Sequence, residues 1–455
     1  MNKIEQLIQK YCPDGVEFKK LGELGVFYGG LNGKSKNDFY GGNAKFVTYM
    51  NVFSNIAVNT NIDTFVKIDE NENQNKIELG DVLFTGSSET PDECGMSSVL
   101  TEMITEPLYL NSFCFGFRLH DKKMFLPDFL KYLFRDSSIR KQIGQTASGV
   151  TRFNVSKKRF AKIIIPLPPL PVQQEIVNIL DKFTELEIQL EAELEARKKQ
   201  YEYYRNRLLT PVEVVSRAST TSSHQIRCLR LSKTPYLRLS KTPLSKWLMN
   251  GVEVEWKKLG EVCEFVRGVT YSKKEESSTN KGYKILRANN ITLSTNSLNF
   301  NDIKIISENV KIKDNQKLKK GDILICIASG SKEHIGKVAF IYEDLDFYFG
   351  GFMAVIRTRD GLLSRFLFHL LVGQDFSKYL NNALNTTTIN NLNSSIFNHF
   401  KIPIPPLSEQ ERIVEILDKF DSLVNDISIG LPAEIEARRK QYEYYRSKLL
   451  SFKPK

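Results

Sequence analysis

The chain contains one sequence unit twice, and that duplication restricts its fold more than any other feature. PLPPLPVQQEIVNILDKFTEL (166–186) returns as PIPPLSEQERIVEILDKFDSL (403–423), identical at 13 of 21 positions. EARKKQYEYYRNRLL (195–209) returns as EARRKQYEYYRSKLL (436–450), identical at 12 of 15. Fainter echoes keep the same order upstream: KKLGE at Lys19 and Lys257, GDVL at Gly80 and GDIL at Gly321, Thr-x-x-Asn at Thr151 and Thr388. What one half forms the other must form too, so the chain is two copies of a variable globular part followed by a near-constant helical part.

Each helical part opens on a proline-rich loop that ends the preceding strand. In the first copy Ile176, Leu180, Phe183, Leu190, Leu194, Tyr201, Tyr204 and Leu208 recur in steps of three and four, which predicts a helix over Val172–Leu209. At about 1.5 Å per residue it is roughly 57 Å long, too long for burial in one small domain. Its narrow apolar stripe seeks a partner helix. The second stripe holds Ile413, Leu417, Phe420, Tyr442 and Tyr445 in a helix over Glu409–Leu450. Four extra residues around Gly430-Leu431-Pro432 predict a break there. The expected arrangement is an antiparallel pair with an approximate two-fold axis. The tyrosines suit packing within that pair and also docking of a partner protein.

The globular parts, 1–165 and 251–402, alternate short β-branched or aromatic runs with polar loops and carry amphipathic helices at 127–135 and 362–372, which predicts α+β domains. The helical parts are 166–209 and 403–455, and 210–250 reads as a basic linker. Net charge is +11, but residues 206–250 hold eight basic side chains against the single acid Glu213. Bulk charge therefore locates no binding face on the folded parts. The same linker repeats CLRLSKTP (228–235) as YLRLSKTP (236–243), a tandem octapeptide that fits no helix or strand period.

Base edges are read by Arg, Lys, Asn, Gln, Ser and Thr, and phosphates by the same groups. Loops rich in these residues make Lys34, Ser35, Lys36, Ser87, Ser88, Thr151, Arg152 and Asn154 the candidates in the first part. In the second they are Tyr271, Lys273, Lys274, Arg287, Asn289, Asn290, Ser329, Ser331, Lys332, Thr388 and Asn391. Each of these residues also suits ordinary turn chemistry. The stretch GGLNGKS (29–35) approaches a phosphate loop but has Tyr28 where that motif requires glycine. No Ser/His/Asp set, paired carboxylates or nucleophile elbow is recognisable. The six cysteines and five histidines lie without metal-ligand spacing, so no metal site is expected and the thiols read as reduced. No apolar run reaches the roughly 18 to 20 residues of a membrane span, and Glu5 interrupts the start where a signal would be apolar, which points to the cytoplasm.

Two variable parts, each followed by P-[LI]-P-P-L, an I-V-x-I-L-D-x-F helix and a Q-Y-E-Y-Y-R-x-x-L-L end, resemble the specificity subunit of type I restriction-modification systems. The resemblance implies two target recognition domains, each reading half of a bipartite double-stranded DNA site, and a helical spacer that fixes the gap. It implies two modification (methyltransferase) subunits docked on the helices, with restriction (translocase/nuclease) subunits joining them. No cofactor belongs to this chain in that scheme. S-adenosylmethionine, ATP and Mg2+ belong to the partners, and the chain itself is no enzyme. Two other readings compete: a coiled-coil adaptor without DNA recognition, and a nucleotide hydrolase built on the Gly30–Ser35 loop.

Overall fold

The structure, a computed structural model, describes residues 3–215, 245–277, 281–385, 391–426 and 428–455. The tandem octapeptide, Thr388 and the side chain of Lys332 lie outside the described residues. The chain forms two compact units, Met1–Glu191 with Glu434–Lys455, and Ala192–Ala433.

Both units are built on one sheet plan. In the first, β1 (Gly25–Gly29), β2 (Val82–Thr85), β3 (Ser97–Val99) and β4 (Cys114–Leu119) lie antiparallel in the order β1-β4-β2-β3. In the second, β5 (Cys263–Arg267), β6 (Ile323–Cys326), β7 (Val338–Phe340) and β8 (Met353–Thr358) lie antiparallel in the order β5-β8-β6-β7. Successive side chains of a strand point to opposite faces, and both faces are covered here. Phe84 enters one core with Phe117, Phe129 and Phe134, while Leu83 enters another with Val47, Val52 and Leu110. Ile325 and Leu324 divide in the same way. That is why VLFT and ILIC lack the polar alternation of a half-exposed strand.

The upstream echoes have structural reasons. KKLGE ends one strand of a two-stranded ribbon in each unit: Glu17–Lys20 pairs with Ile164–Leu167, and Glu255–Lys258 with Lys401–Ile404. The glycine of the GD pair has φ +86° at Gly80 and +87° at Gly321, a turn conformation that a side chain would strain. The aspartate that follows is buried and meets an arginine on the neighbouring strand in a two-pronged ion pair. Arg118 Nε and Nη2 donate to Asp81 at 2.9 and 2.7 Å; Arg357 Nε and Nη2 donate to Asp322 at 2.8 and 2.9 Å.

The helices are α1 (Leu170–Leu209), α2 (Leu407–Asn425) and α3 (Leu431–Leu449). The break between α2 and α3 falls at the expected insertion. There Asp426 Oδ1 accepts from Ser428 N at 2.7 Å, and a Cβ on Gly430 would lie 2.5 Å from the Ser422 carbonyl oxygen.

Helix pairing runs antiparallel in each unit. In the first, Phe183 of α1 stacks on Tyr445 of α3, centroids 5.5 Å apart, with Tyr442 at 6.4 Å. Further along α1, Glu187 and Glu191 accept from Arg439 at 2.6 and 2.5 Å. In the second unit Tyr201 and Tyr204 of α1 stack on Phe420 of α2 at 6.2 and 5.4 Å. Asn250 Nδ2 then reaches both the Leu208 carbonyl (3.3 Å) and Glu409 Oε1 (3.0 Å). Phe183 and Phe420 hold one repeat position, and the tyrosine pairs another, so each copy's phenylalanine meets the other copy's tyrosines.

The first turns of α1 and α2 serve a different purpose. Ile176 and Leu180 are fully buried in the core with Phe129 and Leu133, and Ile413 and Leu417 with Phe366 and Leu367. The ends of the 210–250 stretch are also ordered into a sheet: Val212–Val215 pairs with Ser245–Met249, which pairs with Val252–Glu253. Among the described residues no helix is long and apolar enough to cross a membrane.

Candidate nucleic-acid interface

Each unit opens a cleft just past the end of its central strand β2 or β6. The first, of about 460 Å³, is lined by Tyr49, Met50, Phe53, Ser87, Ser88, Glu89, Glu93, Thr151 and Arg152. The second, of about 800 Å³, is lined by Tyr271, Lys273, Arg287, Asn289, Ser329, Phe352 and Asn391 among others. The sequence places these side chains far apart, and strand pairing gathers them. Asn154 pairs with Ser87 and Phe153 with Ser88. In the second unit a bridge joins Ala328 to Asn391, and Leu392 N donates to the Ile327 carbonyl at 2.7 Å.

In the first cleft Arg152 Nε donates to Ser87 Oγ (3.2 Å), Tyr49 donates to the Ser87 carbonyl (2.8 Å), and Ser88 Oγ donates to Glu93 (3.1 Å). Ser87 and Ser88 are buried, whereas Thr151, Arg152 and Asn154 are exposed. Burial raises the Tyr49 phenol above its ordinary value. Lys34, Ser35 and Lys36 do not line this cleft. The Lys34 ammonium is paired with Glu72, whose carboxyl that hydrogen bond holds below the usual range. Ser35 caps a short turn through Asp38 (2.8 Å), and Lys36 is exposed.

In the second cleft Asp302 Oδ2 accepts from Arg287 Nη2 (2.7 Å) and Asn289 Nδ2 (3.2 Å). The Arg287 Nε is a buried donor without a hydrogen-bond partner among the described residues. Lys273 and Lys274 are exposed, and burial raises the Tyr271 phenol. Ser331 Oγ donates to Glu333 (3.1 Å), and Ser329 Oγ accepts from Ser331 N (3.3 Å). Asn290 lies inward: its Oδ1 accepts from Arg287 N (2.9 Å) and its Nδ2 donates to the Asn301 carbonyl (2.8 Å), fastening the loop.

Two groups of residues that position the clefts escape sequence reasoning. Gln173 and Gln410, one repeat position, are both fully buried. Gln173 accepts from Leu126 N (2.9 Å) and donates to the carbonyls of Met124 (3.0 Å) and Pro168 (2.7 Å). Gln410 accepts from Leu363 N and donates to the carbonyls of Gly361 and Pro405, all at 2.9 Å. Each therefore ties the proline loop to the domain helix. Identity of this glutamine between the copies was the available signal. The second group is the aspartate of L-D-K-F. Asp181 accepts from Tyr132 OH at 2.5 Å, and Asp418 accepts from His369 Nε2 at 2.8 Å.

The family model for the type I restriction modification DNA specificity domain matches residues 13–197 and 251–437, well over half the chain. The chain belongs to that family. Over 305 residues, 66% of its length, it is 34% identical to the EcoR124I/EcoR124II specificity subunit of Escherichia coli, of which the aligned stretch covers 64%. It is 32% identical over 317 residues to the putative specificity subunit S.HindORF215P of Haemophilus influenzae, covering 67% of this chain and 68% of that one. A chain from a solved structure concerned with complex assembly and conformational transition of the type I R-M system superposes with a TM-score of 0.61 at 16% identity, covering 96% of this chain and 98% of that one. That likeness shows a shared fold. Each match of the specificity-domain model falls within one copy of the repeat, and each contains one complete cleft.

Proposed function

We propose that the chain acts as the specificity subunit of a type I restriction-modification complex, with each cleft reading one half of a bipartite double-stranded DNA target. The observation that carries this reading is the duplication of the cleft: one topological position, on two units of one plan, holds different polar side chains in each. A duplicated scaffold with divergent reading residues suits recognition of two unlike half-sites. The paired helices set the spacing between halves, so that binding at one half raises the effective concentration at the other. In this reading two modification subunits dock on the helices, and restriction subunits complete the nuclease in the cytoplasm. The partners hold S-adenosylmethionine, ATP and Mg2+, and this chain supplies recognition without catalysis. Mapping methylated bases in host DNA with and without the gene tests the proposal. The expected result is a methylated bipartite site that disappears with the gene; unchanged methylation, or one uninterrupted site, would contradict it.

A further inference from the structure

A large apolar side chain at an exposed turn is out of place, because turns favour glycine, proline and small polar residues. Taken singly it needs no explanation. Here one turn position is filled that way twice. Cys114 N donates to the Asn111 carbonyl (3.0 Å) and Met353 N to the Gly350 carbonyl (2.7 Å), closing matching four-residue turns just before β4 and β8. The third residue is Phe113 in one turn and Phe352 in the other, 59% and 73% exposed. Both backbones are fixed: the Phe113 carbonyl accepts from Gly86 N (2.8 Å) and the Phe352 carbonyl from Ile327 N (2.9 Å). Each ring is thus held out in water by an ordered backbone, at a continuing cost in exposed apolar area.

The surroundings point to an occupant. The Arg152 guanidinium of the first cleft lies 5.8 Å from the Phe113 ring. Phe352 lines the second cleft together with Lys273, Asn289 and Asn391. An apolar ring beside cationic and amide groups matches a DNA groove, where base edges offer apolar surface, the thymine methyl above all, next to phosphates. A hydrophobic protein partner would match an apolar rim better. We infer that Phe113 and Phe352 are specificity-determining residues, one per half-site, making apolar contact with the bases while the neighbouring polar groups read edges and phosphates. The inference rests on the proposed DNA-reading role of the clefts.

The test uses the full chain assembled with its modification subunits, carrying Phe113→Ala, Phe352→Ala or the corresponding leucine. The probes are a duplex with the methylation-mapped site and two duplexes with one half-site scrambled. Each alanine variant is expected to bind the intact site about tenfold or more weakly, the size of one good base contact. That loss should vanish on the duplex whose corresponding half is scrambled, and leucine should lose less. Assembly and melting temperature should stay unchanged, since the rings are exposed. Wild-type affinity in the alanine variants would overturn the inference, as would equal losses on both scrambled duplexes. Impaired assembly with intact discrimination would assign the rings to a protein interface instead. A wild-type complex that fails to distinguish the three duplexes would remove the DNA-reading role itself.

Discussion

The L-D-K-F sequence is identical in the two units, yet its aspartate meets different partners. In the first unit Asp181 accepts from Tyr132 OH, with Lys131 at 3.0 Å. In the second, Asp418 accepts from His369, with Arg365 at 2.6 Å. Tyr132 and His369 each stand six residues past the backbone N–H that Gln173 or Gln410 holds. The constant helix presents one carboxylate, and each variable domain supplies its own donor. A domain can therefore diverge in sequence and still seat on the same helix, provided a donor stands at that position.

The buried ion pairs should strain the likeness of the units most. Removing one partner of such a pair costs about 3–5 kcal/mol, because the other charge stays buried and uncompensated. After Asp81→Ala, the Tyr28 hydroxyl loses its 2.7 Å acceptor, but the Arg118 charge keeps the Glu78 carboxylate at 2.5 Å. After Asp322→Ala, Arg357 keeps, among the described residues, hydrogen bonds to the carbonyls of Asn315 (2.9 Å) and Lys317 (3.1 Å) alone. Unit-resolved hydrogen exchange should show the larger loss of protection in the second unit. The reverse order would show that the orphaned Tyr28 hydroxyl outweighs the substitute pairing with Glu78.

Gln173→Leu and Gln410→Leu probe a feature the units share. Each orphans one N–H and two carbonyls, at about 1–3 kcal/mol per group before relaxation and water entry. Equal losses, each confined to its own unit, are expected in the same exchange experiment. A loss in only one unit would show that the buried glutamine is needed in that unit alone.

The smallest effect concerns pH. Burial lowers the His369 pKa from its ordinary 6.5, opposed by the hydrogen bond to Asp418; Arg365 lowers it further, and Asp421 raises it. The neutral ring is well served, since Nε2–H donates to Asp418 and Nδ1 accepts from Tyr201 OH at 3.3 Å. Below pH 6.5 the unfolded imidazole binds a proton that the folded one refuses, so stability falls as pH falls. The slope is at most about 1.4 kcal/mol per pH unit for one group. Urea midpoints between pH 7 and 5 should fall for the second unit, with the slope flattened by His369→Gln. An unchanged slope in that variant would show that His369 is not the group responsible.

The helices were legible because duplication and a three-and-four spacing survive in sequence, and Gly430 with Pro432 announced the break. The first turns of the stripe misled: periodicity cannot distinguish a partner helix from a globular core, so Ile176 and Ile413 read as coiled-coil residues although they enter domain cores. Gln173 and Gln410 were hidden as polar residues on a surface-like position. The GD echo was visible, but its arginines became apparent only once β4 and β8 lay beside β2 and β6. Lys34 illustrates the limit for loops, since its partner Glu72 stands 38 residues away and no local pattern links them.

Exchange of residues 251–402 for the same part of a relative with a different target tests the central claim most directly, with methylated sites mapped before and after. Two independent readers on one scaffold predict that one half of the site changes while the other half and the spacing persist. A change in both halves, or in neither, would contradict that account.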